Sequence, residues 1–291
     1  MIKTVSFHAE ATGPRLLVLG AIHGKEKCGP IAINRFIAEI EAGKHTLKNG
    51  RITFVPVCNP RAYAADERYI DRNLNRNLVP MDKPDSYEAR LGNILCPMLA
   101  DCDVLLDIHS TSAGGPSYVF ADPADKKNLA YAESLEQDWI VSNFAGALEA
   151  GAEGAKEDPG TWAIGTTEYA RAQGAMSVTL ECGQHLDPAA PEKAYRAIKR
   201  ALAHLDMLAE PSQPPSHKVP HVVLDKCWFY KGAGSFMRDW QNLERVAKAT
   251  PVVKLPDGTV FHAPHDCVMV LPNKSPQIQA GDEWFYLGHE A

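Results

Sequence analysis

Residues 16–26 read LLVLGAIHGKE and residues 104–110 read VLLDIHS, and the two stretches share one design. Each is an unbroken apolar run that ends in polar groups of catalytic type. Short runs of this kind mark strands buried on both faces. Ile52–Arg61 (ITFVPVCNPR) and Ser177–Gly183 (SVTLECG) repeat the design, and Ser117–Phe120 adds another candidate strand. Helical stripes lie between them. One follows Pro30 with Ile33, Phe36, Ile37 and Ile40; another carries Leu91, Ile94, Leu95, Met98, Leu99 and Cys102. A third carries Ala194, Ala197, Ile198, Ala201, Leu202, Leu205 and Leu208. This alternation predicts an α/β fold: a mostly parallel or mixed central sheet with helices on both faces.

Glu210–Pro220 (EPSQPPSHKVP) is rich in proline and reads as a linker. Beyond it, the runs Pro251–Leu255, Thr259–Ala263, Cys267–Leu271 and Trp284–Leu287 alternate with turn signals such as Pro256-Asp257-Gly258. The expected organisation is a catalytic domain over residues 1–210 and a small, mainly β domain over residues 211–291.

Composition removes several function classes. A chain of 291 residues, 45% apolar and 23% charged, is long enough to bury a sizeable core. Its net charge of −6 argues against general nucleic-acid binding, which needs a basic footprint. No window approaches the ~18 uninterrupted apolar residues of a membrane span. The opening residues MIKTVSFHAEATGPR hold no apolar signal region. Cysteines 28, 58, 96, 102, 182, 227 and 267 are scattered without CxxC pairs and read as reduced thiols. The expectation is a cytoplasmic protein without nucleic-acid or membrane partners; a homo-oligomer is left open.

Ligands of open α/β sheets bind beyond the carboxyl ends of the strands. The strand ends here deliver His23 and Glu26, Asn59 and Arg61, Asp107, His109 and Ser110, and Glu181. His23 and Glu26 are spaced H-x-x-E on a turn leading into a helix, which puts both on one side. With His109 they form a His/Glu/His set that would hold zinc and leave a fourth position open to water. Asp107, two residues before His109, faces the same way and can orient a ligand from behind. Glu181 has two readings on residues alone, a strand-end acid in solvent or a general base serving a metal-held water and then a leaving amine. His185 lies close enough to Glu181 to line the site. The polar run Arg68–Asn77 (RYIDRNLNRN) follows an Asn-Pro turn, and its Arg forks suit a carboxylate.

The stretches GAIHGKE, NPRAYAADERYIDRNLNR, LLDIHSTS and ECG together resemble the aspartoacylase and succinylglutamate desuccinylase family, a branch of the zinc carboxypeptidase-like hydrolases. The resemblance runs from residue 15 to about residue 210. It implies one zinc per chain on His23, Glu26 and His109, with Glu181 as general base and acid. It further implies that Arg68 polarises the scissile carbonyl and that Asn75 and Arg76 bind a substrate carboxylate. Arg171, ten residues before Glu181, takes the place of a substrate-binding Arg. A small C-terminal β domain is also implied. The chain departs from the family at four places. Asn73 stands where the DLNR motif has an acid, Leu78 where an aromatic often follows, and Lys25 where Asn is common. The C-terminal substrate-contacting Tyr has no match in place; Gln277 is nearest and Tyr286 the alternative. The resulting expectation is a zinc-dependent amidohydrolase of small anionic N-acyl amino acids. A carboxypeptidase-type peptidase and a non-catalytic ligand-binding relative are its rivals.

Overall fold

The computed structural model describes residues 1–121, 125–156, 162–209 and 218–291. The first strands are β1 (Val5–His8), β2 (Arg15–Gly20), β3 (Arg51–Val55), β4 (Val104–Thr111), β5 (Tyr118–Ala121), β6 (Trp139–Ser142) and β7 (Met176–Gln184). After residue 218 come β8 (His221–Phe229), β9 (Ser235–Phe236), β10 (Glu244–Val246), β11 (Pro251–Lys254), β12 (Val260–His262), β13 (Cys267–Val270) and β14 (Glu283–Glu290). The helices are α1 (Cys28–Glu41), α2 (Pro60–Ala65), α3 (Tyr87–Ala100), α4 (Lys126–Ser134), α5 (Phe144–Ala150), α6 (Thr166–Ala172) and α7 (Ala190–His204).

Among the described residues, 11 strands form one sheet in the order β1-β3-β2-β4-β7-β5-β6-β8-β14-β13-β10, and β12-β11-β9 form a smaller one. The run β3-β2-β4-β7 is parallel, as the continuous apolar stretches require. Antiparallel β1 and β5 flank it. Parallel pairs then carry the sheet through β6 to β8, and antiparallel ones through β14 and β13 to β10. The sheet is therefore mixed. Strands on both sides of residue 210 share it, while residues 210–217 of the expected linker lie outside the described residues.

Strand alternation decides which residues meet the helices and which remain for chemistry. On β2, β4 and β7, residues Leu16, Val18, Val104, Leu106, Ile108, Val178, Leu180 and Cys182 pack with α1, α4 and α7. Leu17, Leu19 and Leu105 point the other way, into a core shared with Leu91, Leu95 and Leu99 of α3 and Ala170 of α6. Asp107, His109 and Glu181 share the parity of this second set. Each buried Leu, Ile or Phe stabilises by about 1.5–3 kcal/mol, so a slip by one residue would be prohibitive.

Element ends follow their local chemistry. Helix α3 begins at Tyr87, before the apolar stripe that starts at Leu91, because the Ser86 hydroxyl accepts from Ala89 N at 3.1 Å. The Pro256-Asp257-Gly258 signal forms the turn between β11 and β12, with Gly258 at φ 86. Strands β1, β6 and β8 carry no comparable signal. The first two have four residues each, and β8 interleaves polar side chains with apolar ones.

Candidate active site

At the end of β2 the chain turns sharply through Ala21, held at φ 47, a left-handed conformation that non-glycine residues adopt only under constraint. The turn delivers His23 and then Glu26, whose N–H donates to the His23 carbonyl at 3.2 Å. Gly24 between them is obligatory: a Cβ there would lie 2.1 Å from the Ala62 carbonyl carbon of α2. Strand β4 brings His109 to the same point. His23 Nδ1 lies 2.8 Å from Glu26 Oε1, and His109 Nδ1 lies 2.9 Å from Glu26 Oε2. All three side chains are buried, with exposures of 3%, 2% and 2%. One ligand atom from each falls within 4.8 Å of the others.

The outer ring nitrogens differ: that of His23 is hydrogen-bonded, while that of His109 has a carboxylate oxygen nearby but no hydrogen-bond partner. His23 Nε2 is 2.9 Å from Asn73 Oδ1, and His109 Nε2 is 2.9 Å from Asp107 Oδ2. Both imidazoles turn Nδ1 inward; His23 is backed by a hydrogen-bond acceptor, as metal-ligating histidines usually are, and His109 has the Asp107 carboxylate close behind it. Burial, with help from Arg68, pushes the His23 imidazole down to about 4, so it is neutral and able to ligate. Burial also opposes charge on His109, but Asp107 and Glu26 outweigh it and hold that imidazole well above its usual value. Burial alone would raise Glu26; the two imidazoles outweigh it and keep the carboxyl well below its usual range.

Glu181 sits on β7 directly opposite His109 of β4 in the strand register. Its Oε2 is buried without a hydrogen-bond partner, as is Oδ1 of Asp107. Burial above all pushes the Glu181 carboxyl up to about 8, with Glu26 and Asp107 adding to the rise and His109 and Arg68 opposing it. Arg68 is 47% exposed, and its Nη1 lies 3.6 Å from Glu26 Oε1. Glu26, Asp107 and Glu181 thus gather around the two imidazoles, with the Arg68 guanidinium beside Glu26. Two nitrogens and one carboxylate within reach of one point, beside the unpartnered Glu181 Oε2, fit a divalent cation, and the donor types fit zinc with an open position.

The polar stretch after β3 divides into scaffold and site. Asn59 caps α2, accepting from Ala62 N at 3.3 Å, and Pro60 opens the helix. Arg61 points outward over the Tyr87 ring. The buried Glu88 carboxylate, on the first turn of α3, gathers the loop. It accepts from Asn59 Nδ2 at 3.0 Å and from the N–H groups of Ile70, Asp71 and Arg72 at 2.8–3.2 Å. Leu74 and Leu78 anchor the next residues in the core.

Asn75 Oδ1 accepts from Thr166 N at 2.8 Å, an approach that a Cβ on Gly165 would block at 2.4 Å. Arg76 Nη2 donates to Glu283 Oε1 of β14 at 3.0 Å, and its guanidinium lies over the Trp162 ring at 4.6 Å. Tyr286 is fully buried, donates to Glu283 Oε2 and stacks on Phe144 at 5.5 Å. Gln277 is exposed in the loop before β14. Arg171 occupies the last turn of α6, half-buried. His185 Nδ1 is 2.9 Å from the hydroxyl of Ser110, the neighbour of His109.

His23, Glu26, His109, Glu181 and Arg68 are thus brought together, while Asn75 and Arg76 follow directly on Asn73. Glu88, Thr166 and Glu283 escaped the sequence reading. Only Glu88 had a local signal, as an acid in a first helical turn behind a Ser cap.

Residues 12–208, more than half of the chain, match the family model of the succinylglutamate desuccinylase/aspartoacylase catalytic domain, and the chain belongs to that family. A probable aspartoacylase from Prochlorococcus marinus subsp. pastoris is 34% identical over 104 residues, 34% of this chain and 34% of the relative. The N-acyl-aromatic-L-amino acid amidohydrolase (carboxylate-forming) of Rattus norvegicus is 33% identical over 112 residues, again 34% of each chain. The chain aligns to about a third of the length of these curated relatives. Among solved structures, a succinylglutamate desuccinylase/aspartoacylase from Rhodobacter sphaeroides superposes with a TM-score of 0.79 at 18% identity, covering 100% of this chain and 89% of that one. The product-bound ectoine utilization protein EutE (DoeB) from Ruegeria pomeroyi superposes with a TM-score of 0.75 at 20% identity, covering 98% and 88%. At these identities the superpositions speak for the fold.

Proposed function

We propose that the protein is a zinc-dependent hydrolase that cleaves the amide bond of small N-acyl amino acids. The observation that carries this reading is the convergence of His23, Glu26 and His109 on one point beside the unpartnered Glu181 Oε2. The names of the relatives, aspartoacylase and N-acyl amino acid amidohydrolase, support it.

His23, Glu26 and His109 would hold the zinc, which when bound would supply Lewis acidity and make water acidic enough to be deprotonated near neutral pH. Glu181 accepts a proton from the attacking water on Oε2 and returns it to the departing amine nitrogen, so that water and amide become a carboxylic acid and an amino acid. Arg68 at the rim carries the charge that develops on the carbonyl oxygen. Asn75 and Arg76 hold the substrate carboxylate; Arg76 is stiffened for this by Glu283 and the Trp162 face. Arg171 meets a second anion, in the amino-acid side chain or at the far end of a dicarboxylic acyl group. In this reading residues 1–210 carry the chemistry, and the C-terminal β domain supplies Glu283 behind Arg76. Seven free, buried thiols support a cytoplasmic setting.

The test is hydrolysis of N-acetylaspartate, N-succinylglutamate, N-acetylphenylalanine and a dipeptide by zinc-loaded protein, with and without chelator. Cleavage of the acyl amino acids that stops on chelation and returns with zinc supports the proposal. Preferred cleavage of the dipeptide favours a peptidase, and zinc binding without turnover favours the ligand-binding relative.

A further inference from the structure

The two imidazoles of the metal centre have unlike partners behind them. His109 Nε2 faces the carboxylate of Asp107, whereas His23 Nε2 faces the neutral amide oxygen of Asn73. The Asn73 oxygen also accepts from Asn75 N at 2.9 Å. Asn75 Oδ1 accepts from Thr166 N, and the Thr166 hydroxyl donates to Asp107 Oδ2. Hydrogen bonds thus run from Glu26 through His23, Asn73, Asn75 and Thr166 to Asp107, and Asp107 and Glu26 each lie 2.9 Å from a ring nitrogen of His109 as ion-pair contacts. His23, Glu26 and the segment that leads to Arg76 are therefore joined by hydrogen bonds, with His109 held beside them by two carboxylates.

Resting on the zinc reading above, we propose that Asn73 is a positioning residue that sets how tightly His23 holds the metal and registers residues 73–76 against the centre. An acceptor on the outer nitrogen fixes the tautomer, leaving Nδ1 free to ligate, and pushes electron density through the ring; a carboxylate does this more strongly than an amide. Asn73 therefore makes His23 the weaker of the two nitrogen ligands. Removing the acceptor frees both the imidazole and the Asn75 N–H. Replacing the amide by a carboxylate keeps the shape and strengthens the bond.

The experiment is zinc affinity by chelator competition on the full chain, with thermal melting of the zinc-free proteins as the measure of fold. Asn73→Leu weakens zinc binding by about 10–100-fold, the range for loss of an outer partner. Asn73→Asp tightens it by about tenfold, an opposite sign that a merely structural role does not produce. Thr166→Val, which removes a donor to Asp107, shifts affinity while leaving His23 and Asn73 unchanged in sequence. If the parent binds one equivalent of zinc and both Asn73 variants match it, the role of Asn73 is overturned while the zinc reading stands. If Asn73→Asp weakens binding as Asn73→Leu does, the role is overturned as well. If the parent itself binds no zinc, the zinc reading is the part that fails.

Discussion

At the candidate metal site two imidazoles and the Glu26 carboxylate meet beside Asp107 Oδ1 and Glu181 Oε2, both buried without a hydrogen-bond partner. At the Arg76 cluster the guanidinium meets Glu283 at 3.0 Å, stacked on aromatic faces. The first arrangement leaves polar atoms open to a bound group, which the proposed function assigns to zinc. The second supplies its own counter-charge and needs nothing bound to be stable. The difference teaches where function and stability are coupled: the proposed zinc would answer the unpartnered groups of the first, while Arg76 already has its counter-charge in Glu283 and, in the proposed role, adds a substrate carboxylate to it.

The largest expected effect belongs to the centre. Glu181→Gln keeps zinc and fold but lowers turnover by about 10²–10⁴-fold, the usual loss when a positioned acid–base group is removed. Steady-state kinetics beside elemental analysis checks this, and near-normal kcat would contradict the assigned role. Next comes Arg76→Ala, which strands Glu283 and removes one carboxylate contact. It should raise KM by at least about tenfold with a smaller change in kcat, since charge-assisted hydrogen bonds contribute about 1.5–3 kcal/mol. An unchanged KM would make the cluster purely structural. Glu88→Ala separates loop order from chemistry. It leaves three N–H groups and Asn59 without their acceptor and should cost roughly 1–3 kcal/mol or more of stability, read as a lowered denaturation midpoint.

The smallest effect is in pH dependence. Metal-free Glu181, raised to about 8 from its usual 4.5, favours the folded state in its protonated form. That contribution is fully present below pH about 4.5 and is lost as pH rises through about 8. The zinc-free parent should therefore lose melting temperature between pH about 5 and 8 more steeply than Glu181→Gln, and zinc should narrow the gap. Parallel melting curves would remove the buried acid from the account.

The same contrast explains what the sequence could reveal. His23 and Glu26 are three residues apart, and Asp107 and His109 share a strand, so short motifs record their geometry. Buried parallel strands write themselves as apolar runs, which is why β2, β3, β4 and β7 were legible. Arg76 and Glu283 are 207 residues apart and meet only because β14 joins the central sheet through β8. No local pattern encodes that pairing. Tyr286 is similar: the family resemblance offers it as the alternative for a substrate-contacting Tyr, but its ring is fully buried and its hydroxyl donates to Glu283. Glu88 and Thr166 act by reaching other segments, and their residue types are common in helix first turns for ordinary reasons.

The central claim is that two strand ends build one zinc site. Its most direct test is the metal content of chelator-free protein by elemental analysis, for the parent and for His109→Ala. The account predicts about one equivalent of zinc in the parent, as one site of three protein ligands implies, and loss of most of it in the variant. Zinc absent from the parent, or retained in full by His109→Ala, would contradict it.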